Sequence, residues 1–246
     1  MKIELFLTPL AFGKTDLDGK SVVIIDVLRS STSICAALTS GARGVIPTPG
    51  QSEAVEMWNR IGSDMAVLAG ERGGRKIENF MLGNSPAEFT EEAVGGKQVV
   101  LTTTNGTAIF SQTSNAETVI ACGLVNMSRV TAKCAELGND LVIVCAGTEG
   151  SFSIEDTLCG GMLISGLASH FKISESLNDA ASLAQLLYRS NKTALRQTIE
   201  QGEHGRYLAS IGFAHDVAGA SEVDSLPILP MMKDGRLVPD GQFAPV

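Results

Sequence analysis

The sequence predicts an α/β protein, with helices layered on both faces of a largely parallel or mixed sheet (α/β/α) and a helical C-terminal segment. Two observations predict this class. Apolar runs of strand length alternate with segments of helical periodicity over most of the chain. From residue 155 to about residue 210 the periodicity is helical throughout. A chain of 246 residues that is 44% hydrophobic can bury a large core, so we expect one α/β domain over residues 1–246 or two closely joined lobes.

The alternating elements follow from apolar runs and capping signals. Residues 22–25 predict a strand at 21–26, and a Ser/Thr cap together with Gly41 delimits a helix at 31–40. Ser85 followed by Pro86 marks another helix start, because proline is favoured in the first helical turn. The same signals predict strands at 45–47, 65–70, 98–103, 117–121 and 140–146, and helices at 51–61, 106–113 and 127–137.

The C-terminal part changes character. Its helices carry apolar stripes that predict packing over the sheet, with leucines at Leu183, Leu186, Leu187 and Leu195. Residues 228–230 and 236–238 predict two short strands. Because prolines at 227, 230 and 239 cannot donate to a strand ladder, we expect these strands at an edge of the sheet.

Composition excludes several classes of protein. A formal net charge of -8 leaves no basic footprint for nucleic acid. Residues 1–7 are only strand length and no apolar run approaches membrane-spanning length, so we expect neither a signal peptide nor a membrane segment. The five cysteines form no C-x-x-C pair and lie mostly in apolar segments. This usage predicts reduced, buried thiols and a cytoplasmic protein.

Polar tracts follow four of the predicted strands. In an open α/β sheet, ligands bind beyond the carboxyl ends of strands, where helix N-termini favour anions. Four such tracts in one chain predict an assembled site for a small phosphorylated anion. The sequence leaves open whether the chain forms a homo-oligomer. They occupy residues 26–32, 70–74, 102–107 and 145–150.

The first tract places Asp26 at the end of a buried strand, where a carboxylate costs free energy unless it meets a metal, a cation or hydrogen-bond donors. Arg29 with the hydroxyls of Ser30, Ser31 and Thr32 suits an oxyanion. The alternative is that a serine caps the helix and Arg29 pairs with Asp26. The two interpretations are evenly matched.

The other tracts carry similar alternatives. In the second, Glu71 and Arg72 come directly after the strand, whereas Arg75 and Lys76 are typical of a solvated loop. In the third, the hydroxyls, amide and turn glycine of Thr104, Asn105, Gly106 and Thr107 suit phosphate oxygens.

Acidic and histidine residues later in the chain are weaker indicators of a ligand site. Glu155 and Asp156 begin a helix, where acidic residues favour the helix dipole in any protein, although the pair could complete an oxygen-ligand cation site. The three histidines show no metal-ligand spacing. His204 lies near Glu203 and Arg206 and could reach a site, although a surface or packed role is the safer interpretation.

Taken together in chain order, the motifs resemble the 2-phosphosulfolactate phosphatase family over residues 21 to about 161. Each motif is weak alone, and the combination is specific. The motifs are Asp26-Val27-Leu28-Arg29-Ser30-Ser31-Thr32, Gly70-Glu71-Arg72, Gly83-Asn84-Ser85-Pro86, Thr102-Thr103-Thr104-Asn105-Gly106-Thr107, Cys145-Ala146-Gly147 and Glu155-Asp156-x-x-Cys159.

The resemblance implies a Mg²⁺-dependent phosphomonoesterase that converts 2-phosphosulfolactate to sulfolactate and phosphate, a step of coenzyme M biosynthesis. Under it, Mg²⁺ ligands are drawn from Asp26, Glu71, Glu155 and Asp156, and Arg29 and Arg72 stabilise charge on the phosphoryl group. Asp26 is the first choice as general base, with covalent attack on phosphorus left open. The substrate-binding residues are Ser30, Ser31, Thr32, Lys76, Thr104, Asn105, Gly106 and Thr107.

Two rival functions remain open. A phosphatase with this chemistry could act on another phosphorylated 2-hydroxy acid. Alternatively, helix caps and salt bridges could explain every motif in a non-catalytic anion-binding domain.

Overall fold

A computed structural model describes residues 1–171 and 176–241 and confirms the α/β class. The strands are β1 Ile3–Phe6, β2 Ser21–Ile25, β3 Gly44–Pro47, β4 Ala66–Arg72, β5 Arg75–Lys76, β6 Gln98–Thr102, β7 Thr118–Cys122, β8 Leu141–Cys145, β9 Pro230–Lys233 and β10 Arg236–Pro239. The helices are α1 Ser30–Thr39, α2 Gln51–Ile61, α3 Glu91–Val94, α4 Thr107–Phe110, α5 Met127–Leu137, α6 Ile154–Leu167, α7 Asp179–Asn191, α8 Leu195–Gln201, α9 Glu203–Ser210 and α10 Ala214–Ala220.

Most predicted elements are present close to their predicted bounds. Two predicted helices are shorter than expected: α4 is a single turn, and the start at Ser85 leads into a three-residue 3-10 helix, Pro86–Glu88. Of the predicted helical stretch 155–210, residues 172–175 lie outside the described part. In the described part, no helix is long and apolar enough to cross a membrane. All five cysteines are buried and free, as predicted.

The strands form one mixed sheet in the order β1-β8-β2-β7-β9-β10-β3-β6-β4-β5. Strands β1, β8, β2 and β7 are parallel to one another, and so are β3, β6 and β4. The hairpin of β9 and β10 pairs antiparallel with β7 on one side and with β3 on the other. By these pairings, the two parallel groups run in opposite directions.

The prediction that the terminal strands lie at an edge is wrong, because β9 and β10 join the two parallel groups in the middle of the sheet. The prolines are tolerated there because the lateral pairing is short. One residue pair, Ile120 with Met231, links β7 to β9, and one pair, Leu237 with Val45, links β10 to β3.

Alternation along the strands divides the core. Val22 and Ile24 of β2 share a cluster with Val99 and Leu101 of β6 and with α1, although the two strands belong to different parallel groups. Val23 on the opposite face belongs to a second cluster, which contains residues of α5 and α6. The same cluster therefore joins both strand groups to α1, and every residue of that helix from Ser30 to Leu38 is buried.

The C-terminal helices do not all cover the sheet as predicted. Leu183 and Leu186 of α7 are exposed, whereas Leu187 and Leu195 pack against the core. Helix α7 packs on α6 and β1, while α9 and α10 reach the polar loops beyond the strands. This placement gives the C-terminal segment a part in the site.

Candidate functional site

A cavity of about 270 Å³ lies where the loops after β2, β4, β6 and β8 meet α9. It combines residues from all four predicted polar tracts with residues of the helical tail. The lining residues are Asp26, Leu28, Arg29, Glu71, Gly73, Gly74, Asn84, Thr103, Thr104, Asn105, Thr148, Glu149, Glu203, His204 and Tyr207.

Asp26 lies directly after β2 and is 5% exposed. Its carboxylate accepts hydrogen bonds from the Ser30 hydroxyl at 2.7 Å and the Ser30 backbone N–H at 3.2 Å. Burial raises the pKa of Asp26, and the nearby Glu71 carboxylate adds to the rise, whereas the Ser30 hydrogen bonds and His204 oppose it. The group is therefore held at a fixed position in the cavity wall, with an elevated affinity for a proton.

Gly106 closes over this carboxylate. A Cβ atom at this position would overlap both the Asp26 carboxylate and the Ser30 hydroxyl. The loop after β6 can approach Asp26 this closely only because residue 106 has no side chain.

Ser31 and Thr32, which were expected to bind substrate, lie behind this wall and do not line the cavity. The Ser31 hydroxyl accepts a hydrogen bond from the backbone N–H of Asp26, and the Thr32 hydroxyl donates to the carbonyl of Val27. Their hydroxyls thus fix the turn into α1.

Arg29 is buried and lines the cavity. Its guanidinium donates to Asp216 at 2.7 Å and to the Gly74 carbonyl at 2.6 Å, and it stacks 4.3 Å from the centre of the Phe213 ring. The alternative pairing of Arg29 with Asp26 is not found. The partner comes instead from α10, which sequence reasoning did not connect with this loop.

The hairpin of β4 and β5 divides its charged residues between two sides. Glu71 points inward and accepts hydrogen bonds from the backbone N–H groups of Gly74 and Thr104, each at 2.7 Å. Arg72 is exposed and donates to the Glu71 carbonyl and the Thr102 hydroxyl. Lys76 is also exposed, and neither Arg72 nor Lys76 lines the cavity. Neither side chain therefore joins Asp26 and Glu71 in the cavity lining.

Two of the predicted substrate-binding residues in the tract after β6 face the cavity. Thr104 and Asn105 line the cavity, and the Asn105 amide oxygen accepts from the backbone N–H of Glu149, which ties this loop to the one after β8. Thr107 is fully buried and exchanges hydrogen bonds with Thr103, which faces the cavity. Thr107 is therefore a support for the lining rather than part of it.

Glu155 and Asp156 do not line the cavity with Asp26 and Glu71. Asp156 accepts hydrogen bonds from the backbone N–H groups of Val27 and Gly147, so it ties the loops after β2 and β8 together. Burial, with the nearby Asp26 and Glu155 carboxylates, raises the pKa of Asp156 well above its usual range. Glu155 pairs with His204 at 3.2 Å and faces a neighbouring cavity.

Two lining residues were set aside by sequence reasoning. His204 contacts Glu155 and the Thr148 hydroxyl through Nδ1, so it is part of the site rather than a surface or packed histidine. Asn84 is buried, and its amide oxygen has no hydrogen-bond partner among the described residues. Asn84 lies in one of the quoted motifs, whereas His204 follows no motif that could have identified it.

The donor set fits a magnesium ion held by few protein ligands. Asp26 and Glu71 line the same cavity, and each carboxylate oxygen that accepts one hydrogen bond retains a further lone pair. Mg²⁺ is commonly bound by one or two carboxylates together with water and substrate phosphate. Among the described residues no group of three or more His, Cys, Asp or Glu is arranged to hold a metal ion, so the expected pool of four carboxylates is not assembled.

Comparison with known proteins shows to which family the chain belongs. A family model described as 2-phosphosulpholactate phosphatase matches residues 6–235. Proteins of Caldanaerobacter subterraneus subsp. tengcongensis and Clostridium acetobutylicum, each named probable 2-phosphosulfolactate phosphatase, are 37% and 35% identical to it. The alignments cover 96% and 97% of this chain and 97% and 100% of the relatives. The chain belongs to the 2-phosphosulfolactate phosphatase family.

Proposed function

We propose that the protein is a phosphomonoesterase that hydrolyses 2-phosphosulfolactate to sulfolactate and inorganic phosphate. The observation that carries this proposal is that the family match spans 6–235 and so contains every residue that lines the polar cavity. The buried, free cysteines and the step implied by the family resemblance favour a cytoplasmic enzyme that contributes to coenzyme M biosynthesis.

The charges around the cavity support a requirement for a cation. Four carboxylates line it, from Asp26, Glu71, Glu149 and Glu203, and Arg29 is the one Lys or Arg among the described lining residues. The Arg29 charge is itself balanced by Asp216. A polyanionic phosphate ester would be repelled by such a wall, so we infer that Mg²⁺ accompanies it, held by Asp26 and Glu71.

When bound there, Mg²⁺ would polarise the phosphoryl group and offset its charge. The protein's own groups then have distinct tasks. Arg29 presents a fixed guanidinium to a phosphoryl oxygen, and the Thr104 and Asn105 segment offers uncharged polar groups to the remaining oxygens. Because Asp216, Gly74 and Phe213 already hold Arg29, little reorganisation is needed during the reaction.

Asp26 is the proposed general base. Water attacks phosphorus and transfers a proton to the Asp26 carboxylate, which later releases it to solvent. The bond between phosphorus and the ester oxygen breaks, and that oxygen takes a proton from a solvent water and leaves as the 2-hydroxyl of sulfolactate. Burial raises the pKa of Asp26 above its ordinary value, which makes this carboxylate a stronger base than an exposed aspartate.

One observation favours a second candidate substrate. Arg75 and Lys76, the further cations of the hairpin, are exposed and do not line the cavity, so neither is placed to bind the sulfonate. A phosphorylated 2-hydroxy acid without the sulfonate carries less negative charge and would therefore suit a cavity with one arginine.

A substrate panel tests both versions. Phosphate release is measured from 2-phosphosulfolactate, from 2-phospholactate and from a simple aryl phosphate, with Mg²⁺ and with EDTA. We expect Mg²⁺-dependent release with the highest kcat/KM for 2-phosphosulfolactate. Preference for 2-phospholactate would favour the second substrate, and no release from any ester would refute the phosphatase assignment.

A further inference from the structure

The Arg29 guanidinium is contacted on three sides by parts of the chain that are distant in sequence. Asp216 accepts from one guanidinium nitrogen at 2.7 Å, and the Gly74 carbonyl accepts from the other at 2.6 Å. The ring of Phe213 lies 4.3 Å from the guanidinium carbon. Two of the three contacts come from one short C-terminal segment, residues 213–216.

The Asp216 carboxylate is itself fixed. It is 3% exposed, and its second oxygen accepts from the Ser85 hydroxyl at 2.6 Å and lies 3.1 Å from the exposed His215 ring. Ser85 is adjacent to Asn84, another residue of the cavity lining. The carboxylate therefore connects Arg29 with the loop that carries Asn84.

We propose that Asp216 and Phe213 are positioning residues, which hold the Arg29 guanidinium in the orientation that stabilises the phosphoryl group during its transfer. This inference rests on the proposed function. A fork-shaped guanidinium binds an oxyanion through directed hydrogen bonds, so its orientation matters as well as its charge. The C-terminal segment, which carries none of the family motifs found in the sequence, then contributes to the site by orienting Arg29.

Charge and position predict opposite effects on substrate binding, which makes the inference testable. Asp216→Asn removes a negative charge beside Arg29, so charge alone predicts tighter anion binding and a lower KM. A positioning role predicts that kcat falls, because the guanidinium loses its anchor, and misplacement by about 1 Å can cost roughly a hundredfold in rate. We therefore expect kcat to fall by about thirtyfold with KM unchanged or lowered.

The matched control is His215→Ala, which removes an exposed partner of the same carboxylate and should leave kcat within about twofold of wild type. Phe213→Leu is a second variant, which keeps the ion pair and removes only the ring; it should lower kcat by about threefold. Unchanged kcat in folded Asp216→Asn overturns the inference. If that variant does not fold, unchanged kcat in Phe213→Leu does so.

Chemical rescue separates positioning from a structural role. Arg29→Ala and the double variant Arg29→Ala/Asp216→Asn are assayed with 2-phosphosulfolactate, Mg²⁺ and millimolar guanidinium chloride. Guanidinium should restore activity at least about tenfold when Asp216 is present, and not in the double variant. Equal rescue of both variants, or rescue of neither, overturns the inference. Absence of wild-type turnover in the same assay would instead refute the proposed function.

Discussion

The loop after β2 and the hairpin of β4 and β5 both place an acidic residue ahead of an arginine at the end of a buried strand. In the first, Asp26 and Arg29 are both buried in the cavity wall. In the second, Glu71 points inward, whereas Arg72 is exposed and bonds to its own hairpin.

The spacing of the charged residues explains the difference. Glu71 and Arg72 are neighbours in a strand, so their side chains point to opposite faces. Asp26 and Arg29 are separated by a turn that leads into α1, which allows both side chains to reach the same cavity. The comparison shows that the presence of charged residues in a motif does not determine which of their side chains face the cavity.

The largest expected effect is that of removing the inward carboxylate of the first loop. Asp26→Asn should lower kcat/KM at least about a hundredfold, because the proposed base and metal ligand is lost while shape is kept. Steady-state phosphate release measures this change, with the exposed Asp18→Asn as control. Wild-type activity in the folded variant would remove Asp26 from the mechanism.

A pair of arginine variants sharpens the comparison between the two loops. Arg29→Lys keeps a charge for Asp216 but loses the fork geometry, so we expect kcat to fall by about thirtyfold. Arg72→Lys, the matched change on the exposed side of the hairpin, should change kcat by less than about threefold. Equal losses in the two variants would mean that both arginines reach the phosphoryl group.

The raised pKa of Asp26 predicts a pH-dependent stability difference. The folded protein binds the proton of Asp26 more tightly than the unfolded chain, so ionisation costs stability as pH rises from about 4 through the raised value. In EDTA, Asp26→Asn should therefore be more stable than wild type at pH 8 by about 1 kcal/mol, with a smaller difference at pH 4. Urea unfolding at both pH values measures it. A gain that is the same at both values would assign it to packing instead of charge.

The smallest effect is expected at the outer end of the hairpin. Lys76→Ala should change kcat/KM by less than about twofold for 2-phosphosulfolactate and for 2-phospholactate alike, because an exposed lysine outside the cavity acts only through screened charge. The assay is run at physiological salt. A selective loss with the sulfonated substrate would show that the hairpin closes over it.

Local patterns in the sequence predict the order and kind of most elements, since apolar periodicity and capping signals depend on neighbours along the chain. The sequence also identified segments that line the cavity, because Asp26, Glu71, Thr104 and Asn105 lie at or just after the carboxyl ends of strands. Gly106 lies in one of the motifs found in the sequence, but the sequence did not predict its close approach to Asp26.

Which candidate residues come into contact depends on how distant segments pack against one another. Arg29 finds Asp216 at a separation of 187 positions, and His204 reaches the cavity from a helix with no recognisable motif. The cavity brings together loops from two groups of strands that run in opposite directions. Local patterns carry no information about such contacts, because each depends on the packing of segments far apart in the chain. The same packing turns Asp156 toward backbone N–H groups and leaves Arg72 and Lys76 on the outside.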